Sequence, residues 1–184
     1  MQELKNNFND EEKIYSELCF CITTANNKAT TGLLVQEKIV PRIHSLTEKQ
    51  IANELKNLGS RFHNNKAKYL YQAKKYKNIE HSLKNFENEF QAREWIVENI
   101  KGLGYKEASH FIRNIGYQNL AILDRHVLNL MKEFKLIKEK PKTLTKNKYL
   151  ELEEKLKLLA KEVKMTQSEL DFYLWYMKTG KILK

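Results

Sequence analysis

Lys106 stands two residues after Gly104 in "IKGLGYKEASHFIRNIG" (100–116), and Asp124 follows it by 18 positions, in "LAILDRHVL". These residue types can do covalent chemistry. A lysine amine that has lost its proton is a nucleophile and forms Schiff bases with carbonyl carbons. Asp124 is the candidate chemical partner. Each residue also has a plainer use. A lysine in the first turn of a helix can be solvated or can hold a phosphate, which keeps it charged; the helix dipole and burial favour the neutral amine. An aspartate ahead of an apolar helix is an N-cap, and Asp124 can cap and act chemically at once. Arg125 and His126 read as packing or phosphate contacts rather than metal ligands.

The lysine needs an element to place it. The chain has only six glycines, and Gly102 and Gly104 lie one residue apart between two helical patterns. Glycine accepts positive φ, so the chain can turn sharply there. The helix that then starts at Tyr105 points its free N–H groups and positive dipole end outward, and such an end binds phosphate. This is helix-hairpin-helix geometry, which grips a DNA backbone without reading sequence. Gly102, Gly104 and Tyr105 are the predicted backbone-binding residues. The alternative is an ordinary tight interhelical turn.

Helix signals run through the rest of the chain and strand signals are nearly absent. Asp10 can cap "EEKIYSELCFCITTA", where Ile14, Leu18, Cys21 and Ile22 form an apolar stripe. Thr47 with Gln50, and Thr166 with Glu169, stand at capping-box spacing. Gly59, Gly116 and Gly180 are placed to end helices. "NKAKYLYQAKKYKNI" reads as a basic amphipathic helix, and "LIKEKPKTLT" as a polar connector. The expectation is an all-α protein of about eight to ten helices. Residues 26–127 would form a central helical module with the hairpin. Residues 1–25 and 128–184 would pack together as a second module, with a pocket between the two.

Composition narrows the partner. The 184 residues carry 33 Lys and Arg against 23 Asp and Glu, a net charge of +10. That excess suits a polyanion, nucleic acid or an acidic membrane surface. Cys19 and Cys21 lie in an apolar segment and read as buried thiols, which fits a reducing cytoplasm. No Cys and His set has zinc spacing. No apolar run approaches the roughly 18 residues of a membrane span, and "MQELKNNFND" lacks the apolar core of a signal peptide.

The hairpin, the lysine and the aspartate together resemble the helix-hairpin-helix glycosylase/lyase superfamily of DNA repair. "TTANN", "GSRFHNNKA" and "DFYLWYMKTGKILK" are similar to its type-2, mostly archaeal, 8-oxoguanine DNA glycosylase/AP lyase branch. Lys101 replaces the proline common before the first hairpin glycine, and Ile122 and Leu123 stand where a proline commonly precedes the aspartate; neither change removes a reactive group. The resemblance implies that Lys106 attacks C1′ of an extruded nucleotide. Asp124 would help deprotonate the lysine and stabilise charge on the sugar. β-Elimination through the Schiff base would then nick the strand.

Other segments suit a protein that opens a duplex. Phe62, on a turn after Gly59, can insert into the base stack, or can be core. The resemblance favours the wedge. Arg61 can face the orphaned base, and Asn26 can plug from the other side or cap a helix. Lys66, Lys68, Lys74 and Lys75 are expected to face phosphates. Phe172, Trp175 and Tyr176 have core spacing, yet Trp175 can stack on an extruded base. Asp171 lies on the same helical face and can accept from its N–H groups. In the type-2 branch the terminal lysine helps tell 8-oxoguanine from guanine, which points to Lys184.

The expected function is a bifunctional enzyme that excises 8-oxoguanine and cleaves the strand. It would act as a cytoplasmic monomer on double-stranded DNA, without cofactor or metal. The alternatives are a glycosylase of the same superfamily for another damaged base, and a non-catalytic DNA-binding protein.

Overall fold

The computed structural model describes residues 10–180. Among them every regular element is helical. The α-helices are α1 (Glu11–Thr24), α2 (Ala29–Lys38), α3 (Glu48–Asn57), α4 (His63–Ala73), α5 (Ile79–Lys84), α6 (Glu89–Asn99), α7 (Tyr105–Asn114), α8 (Arg125–Glu133), α9 (Lys146–Glu162) and α10 (Gln167–Thr179). Short 3-10 turns cover Val40–Ser45 and Lys74–Tyr76. The all-α expectation holds.

The caps legible in the sequence set the helix starts. Asp10 accepts from the Lys13 N–H at 3.1 Å. Thr47 and Gln50 form a complete capping box, as do Thr166 and Glu169. Gly180 closes α10 in the left-handed region. Each cap satisfies N–H or C=O groups that a helix end otherwise leaves unpaired.

The buried apolar side chains form two clusters. The first draws on residues 14–120, including Ile14, Leu18, Phe20, Ile51 and Phe111. The second draws on residues 121–174, including Val127, Met131, Tyr149 and Leu156. Helix α1 belongs to the first, packing on α2, α4, α5 and α7. The buried apolar side chains therefore divide near residue 120, with α1 in the first cluster and the C-terminal helices in the second. Helix α1 is buried almost all round: Ile14, Leu18, Cys19, Phe20, Cys21 and Ile22 are fully inaccessible. Such a helix needs neighbours on several sides. Cys19 and Cys21 are free buried thiols. Burial pushes the Cys19 thiol up to about 12, so it stays protonated and unreactive.

Among the described residues no helix is long and apolar enough to cross a membrane. Nor do they contain a group of three or more His, Cys, Asp and Glu side chains placed to hold a metal ion.

Candidate active site

The turn between α6 and α7 is built on unequal glycines. Gly102 has φ +91°, a left-handed backbone that other residues rarely adopt. A Cβ there would also sit 2.6 Å from the Tyr69 ring. Gly104 is extended, at φ −92°. It is the N-cap of α7, and no side chain caps that end. A Cβ on Gly104 would meet only Glu107 Oε2, at an ordinary 3.6 Å. Nothing inside the protein therefore requires glycine at 104; what its absent side chain leaves open is the space before the first-turn N–H groups. The Tyr105 side chain turns inward. Its hydroxyl donates to Glu94, and its ring lies 5.4 Å from that of Tyr149. Only its backbone N–H is placed to meet a phosphate.

A cleft of about 850 Å³ opens beside this turn, within the size range of small-ligand sites, about 300–1,000 Å³. Lys106, Asp124, Asp171 and Trp175 all line it, with Asn26 and Arg61 at the side of α1 and α3. Lys106 lies in the first turn of α7, partly exposed, and forms an ion pair with Glu107 Oε1 at 3.5 Å. Asp124 is the N-cap of α8. Its Oδ1 accepts from both the His126 and Val127 N–H groups at 2.8 Å. Both bonds fall on one oxygen, so capping leaves Oδ2 for the cleft.

Asp171 is not an open acceptor as expected from sequence. Its Oδ2 is ion-paired to Arg113 Nη1. Arg113 also lies 4.5 Å over the Phe172 ring. Burial pushes the Asp171 carboxyl up to about 6. Arg113 opposes that shift, the charge of Asp124 adds to it and Lys106 opposes it. The His126 ring meets Trp175 edge-on at 5.4 Å.

Phe62 is 56% exposed and does not belong to the core. Its φ is +55°, a strain of roughly 1–2 kcal/mol for a residue with a side chain. Arg61 lies 5.5 Å over its ring. Asn26 is likewise left-handed, at φ 54°, and occupies the residue after the C-cap of α1. Asparagine tolerates that position better than most residues. The Asn27 amide donates to Ser60 Oγ at 3.0 Å, so the two turns are tied together.

Two of the expected phosphate lysines are occupied within the protein. Lys66 is buried and donates to the Thr23 carbonyl at 2.7 Å, at the C-terminal end of α1. Burial and the nearby Arg61 charge push its amine down to about 8. Lys74 donates to the Leu46 carbonyl. Lys68 and Lys75 are exposed. Lys184 lies outside the described residues.

Sequence reasoning passed over Glu107, His110 and Arg113, which also line the cleft. A signal existed: 106, 110 and 113 are spaced by four and three, one face of a helix. What the cleft offers is a lysine amine, three carboxylates, an uncapped helix N-terminus and an aromatic wall. That set can form and break a Schiff base next to a bound phosphate.

Residues 1–165 match the family described as 8-oxoguanine DNA glycosylase. The chain is 48% identical to the 8-oxoguanine DNA glycosylase/AP lyase of Methanocaldococcus jannaschii, covering 100% of this chain and 89% of that protein. It is 42% identical to the enzyme of that name from Korarchaeum cryptofilum, covering 100% and 88%. Among solved structures, it superposes with a TM-score of 0.96 on the M. jannaschii protein in complex with a 15mer DNA containing 8-oxoguanine. That match is 48% identical and covers 100% of this chain and 89% of the other.

Proposed function

The chain belongs to the 8-oxoguanine DNA glycosylase family, and we propose that Lys106 and Asp124 are the residues that carry its two reactions. It removes 8-oxoguanine from DNA and then cleaves the strand as an AP lyase. The observation that supports these two residues is their convergence on one cleft, with the uncapped N-terminus of α7 beside them.

C1′ of a stacked nucleotide is out of reach, so the damaged nucleotide is first extruded. Phe62 fills the gap it leaves, Arg61 faces the orphaned base and Asn26 supports the opposite side. The hairpin N–H groups at Tyr105 and beyond hold the backbone phosphate while the sugar enters the cleft. Lys106 gives up its proton to a carboxylate; Asp124 takes that part, and Glu107 is near enough to share it. The amine then bonds to C1′, and the N-glycosidic bond breaks. Asp124 stabilises the positive charge that grows on the sugar. The adduct opens to a Schiff base, a C2′ proton is lost and the C3′–O bond breaks, which cuts the strand 3′ to the lesion. Asp171 and Trp175 read the base, Asp171 through the oxygen that Arg113 leaves free. Lys184 adds to that reading.

We read the enzyme as a monomer acting on duplex DNA in the cytoplasm; the net charge of +10 suits that polyanion. The test is borohydride trapping on a duplex containing 8-oxoguanine. The wild-type protein forms a covalent adduct and nicks the strand. Lys106→Gln does neither, yet still binds DNA, because the hairpin N–H groups are unchanged. Nicking by that variant removes Lys106 from the mechanism.

A further inference from the structure

Behind the cleft lies a buried polar cluster that the reaction itself does not use. Arg93 of α6 makes a two-pronged ion pair with Glu153 of α9, at 2.6 and 2.8 Å. Arg93 Nη1 also donates to Ser109 Oγ at 3.1 Å. Tyr149 Oη lies 3.2 Å from Ser109 Oγ and 2.7 Å from the Ala121 carbonyl oxygen. The Leu123 N–H reaches Tyr149 Oη at 3.4 Å, and the Ala121 N–H donates to Glu153 Oε1 at 3.0 Å. Arg93, Ser109, Tyr149 and Glu153 are all buried, at most 3% exposed.

The protons in this cluster can be placed. A phenol has one hydrogen, and the short contact to the Ala121 carbonyl takes it. The Ser109 hydroxyl then donates to Tyr149, and its own lone pairs accept from Arg93. The result is a directed chain from Arg93 through Ser109 and Tyr149 to the backbone of residue 121. Two points along it matter. Ser109 stands one helical turn after Lys106 on α7. Residues 121–123 have no regular structure and lead straight into Asp124. An irregular buried segment must find partners for its N–H and C=O groups, and here Tyr149 and Glu153, one turn apart on α9, supply three of them.

Stability alone is a weak account of such a cluster. A buried ion pair is commonly no better than the apolar packing it replaces, and Arg93 Nε is left without a hydrogen-bond partner. What the cluster does supply is a single geometry.

We infer that Tyr149 is a positioning residue. Its hydroxyl fixes the segment ending in Asp124 against the helix that carries Lys106, and so sets the approach of carboxylate to amine. The inference rests on the assignment of Lys106 and Asp124 made above.

A double-mutant cycle tests it. Tyr149→Phe keeps the ring and removes the hydroxyl. Single-turnover excision of 8-oxoguanine, DNA affinity and melting temperature are measured for wild type, Tyr149→Phe, Asp124→Asn and the double variant, at a temperature where all are folded. Tyr149→Phe is expected to keep its DNA affinity and to lose about 10- to 100-fold in excision rate, the scale of a misplaced catalytic group. In the Asp124→Asn background it should cost less than about twofold, within the scatter of uncoupled sites. An unchanged rate for Tyr149→Phe, or the same loss in both backgrounds, overturns the inference. Near-normal excision by Asp124→Asn instead overturns the role of Asp124, and with it this one. If Tyr149→Phe does not fold, Ser109→Ala enters the same cycle with the same pattern expected.

Discussion

Asp171 and Arg113 are ion-paired at the edge of the cleft, one from α10 and the other from α7, so the pair bridges the two core clusters. Burial, against the opposing charge of Arg113, moves the Asp171 carboxyl to where the proposed base reading should depend on pH. The Asp171 carboxyl is raised from an ordinary 3.8 to about 6. Its contribution to stability is therefore fully present below 3.8 and is lost as pH rises through about 6. Function runs the other way, because only the ionised form accepts from a base without competing for the proton. The ratio of 8-oxoguanine excision to AP-site nicking should fall as pH drops through about 6. In Asp171→Asn the ratio should be flat across that interval. A wild-type ratio with no such limb places base reading elsewhere.

Asp124→Asn separates capping from charge. The amide oxygen can still accept from His126 and Val127, so the melting temperature should hardly change. Excision should slow by about 100- to 1,000-fold, the usual cost of losing one electrostatic contact to a transition state. A large drop in melting temperature with little change in rate would make Asp124 only a cap.

Gly102 and Gly104 should respond differently to alanine. Gly102→Ala meets the Tyr69 ring and an unfavourable φ, and should lose about 1–3 kcal/mol of stability. Gly104→Ala has room within the protein, so it should fold normally and bind DNA more weakly. Denaturant unfolding and DNA titration read the two effects apart.

Phe62 is a strained residue that its fold does not need. Phe62→Gly should lose no stability. Release of the left-handed strain, about 1–2 kcal/mol, exceeds the chain entropy that glycine adds, about 0.4–1 kcal/mol. The same change should slow excision from duplex DNA far more than from a single strand, where no stack has to be filled. Equal losses on both substrates would assign Phe62 to something other than the wedge.

Much of this was readable in the chain. The caps at Asp10, Thr47, Asp124 and Thr166 are local hydrogen bonds over three residues, so sequence spacing reports them directly. The hairpin is local in the same sense, a turn between two adjacent helices. Lys66 was not readable, because its burial depends on the end of α1 arriving 43 residues away in sequence. Arg113 and Asp171 meet across 58 residues, and nothing near either one announces the other. The packing partners of α1 are hidden for a similar reason. Its apolar stripe says that it is buried, and says nothing about which helices cover it.

Asn26 and Phe62 sit on turns joined by the Asn27–Ser60 bond. That bond ties the two turns together when the chain folds, so the cost of ordering one turn against the other need not fall at each encounter with DNA. An enzyme that inspects many intact base pairs for every lesion repeats that encounter continually. The bond between the two turns thus bears less on the chemical step than on the pace of surveillance. Its removal would be felt on long DNA with a rare lesion, and hardly at all on a short duplex that carries the lesion at its centre.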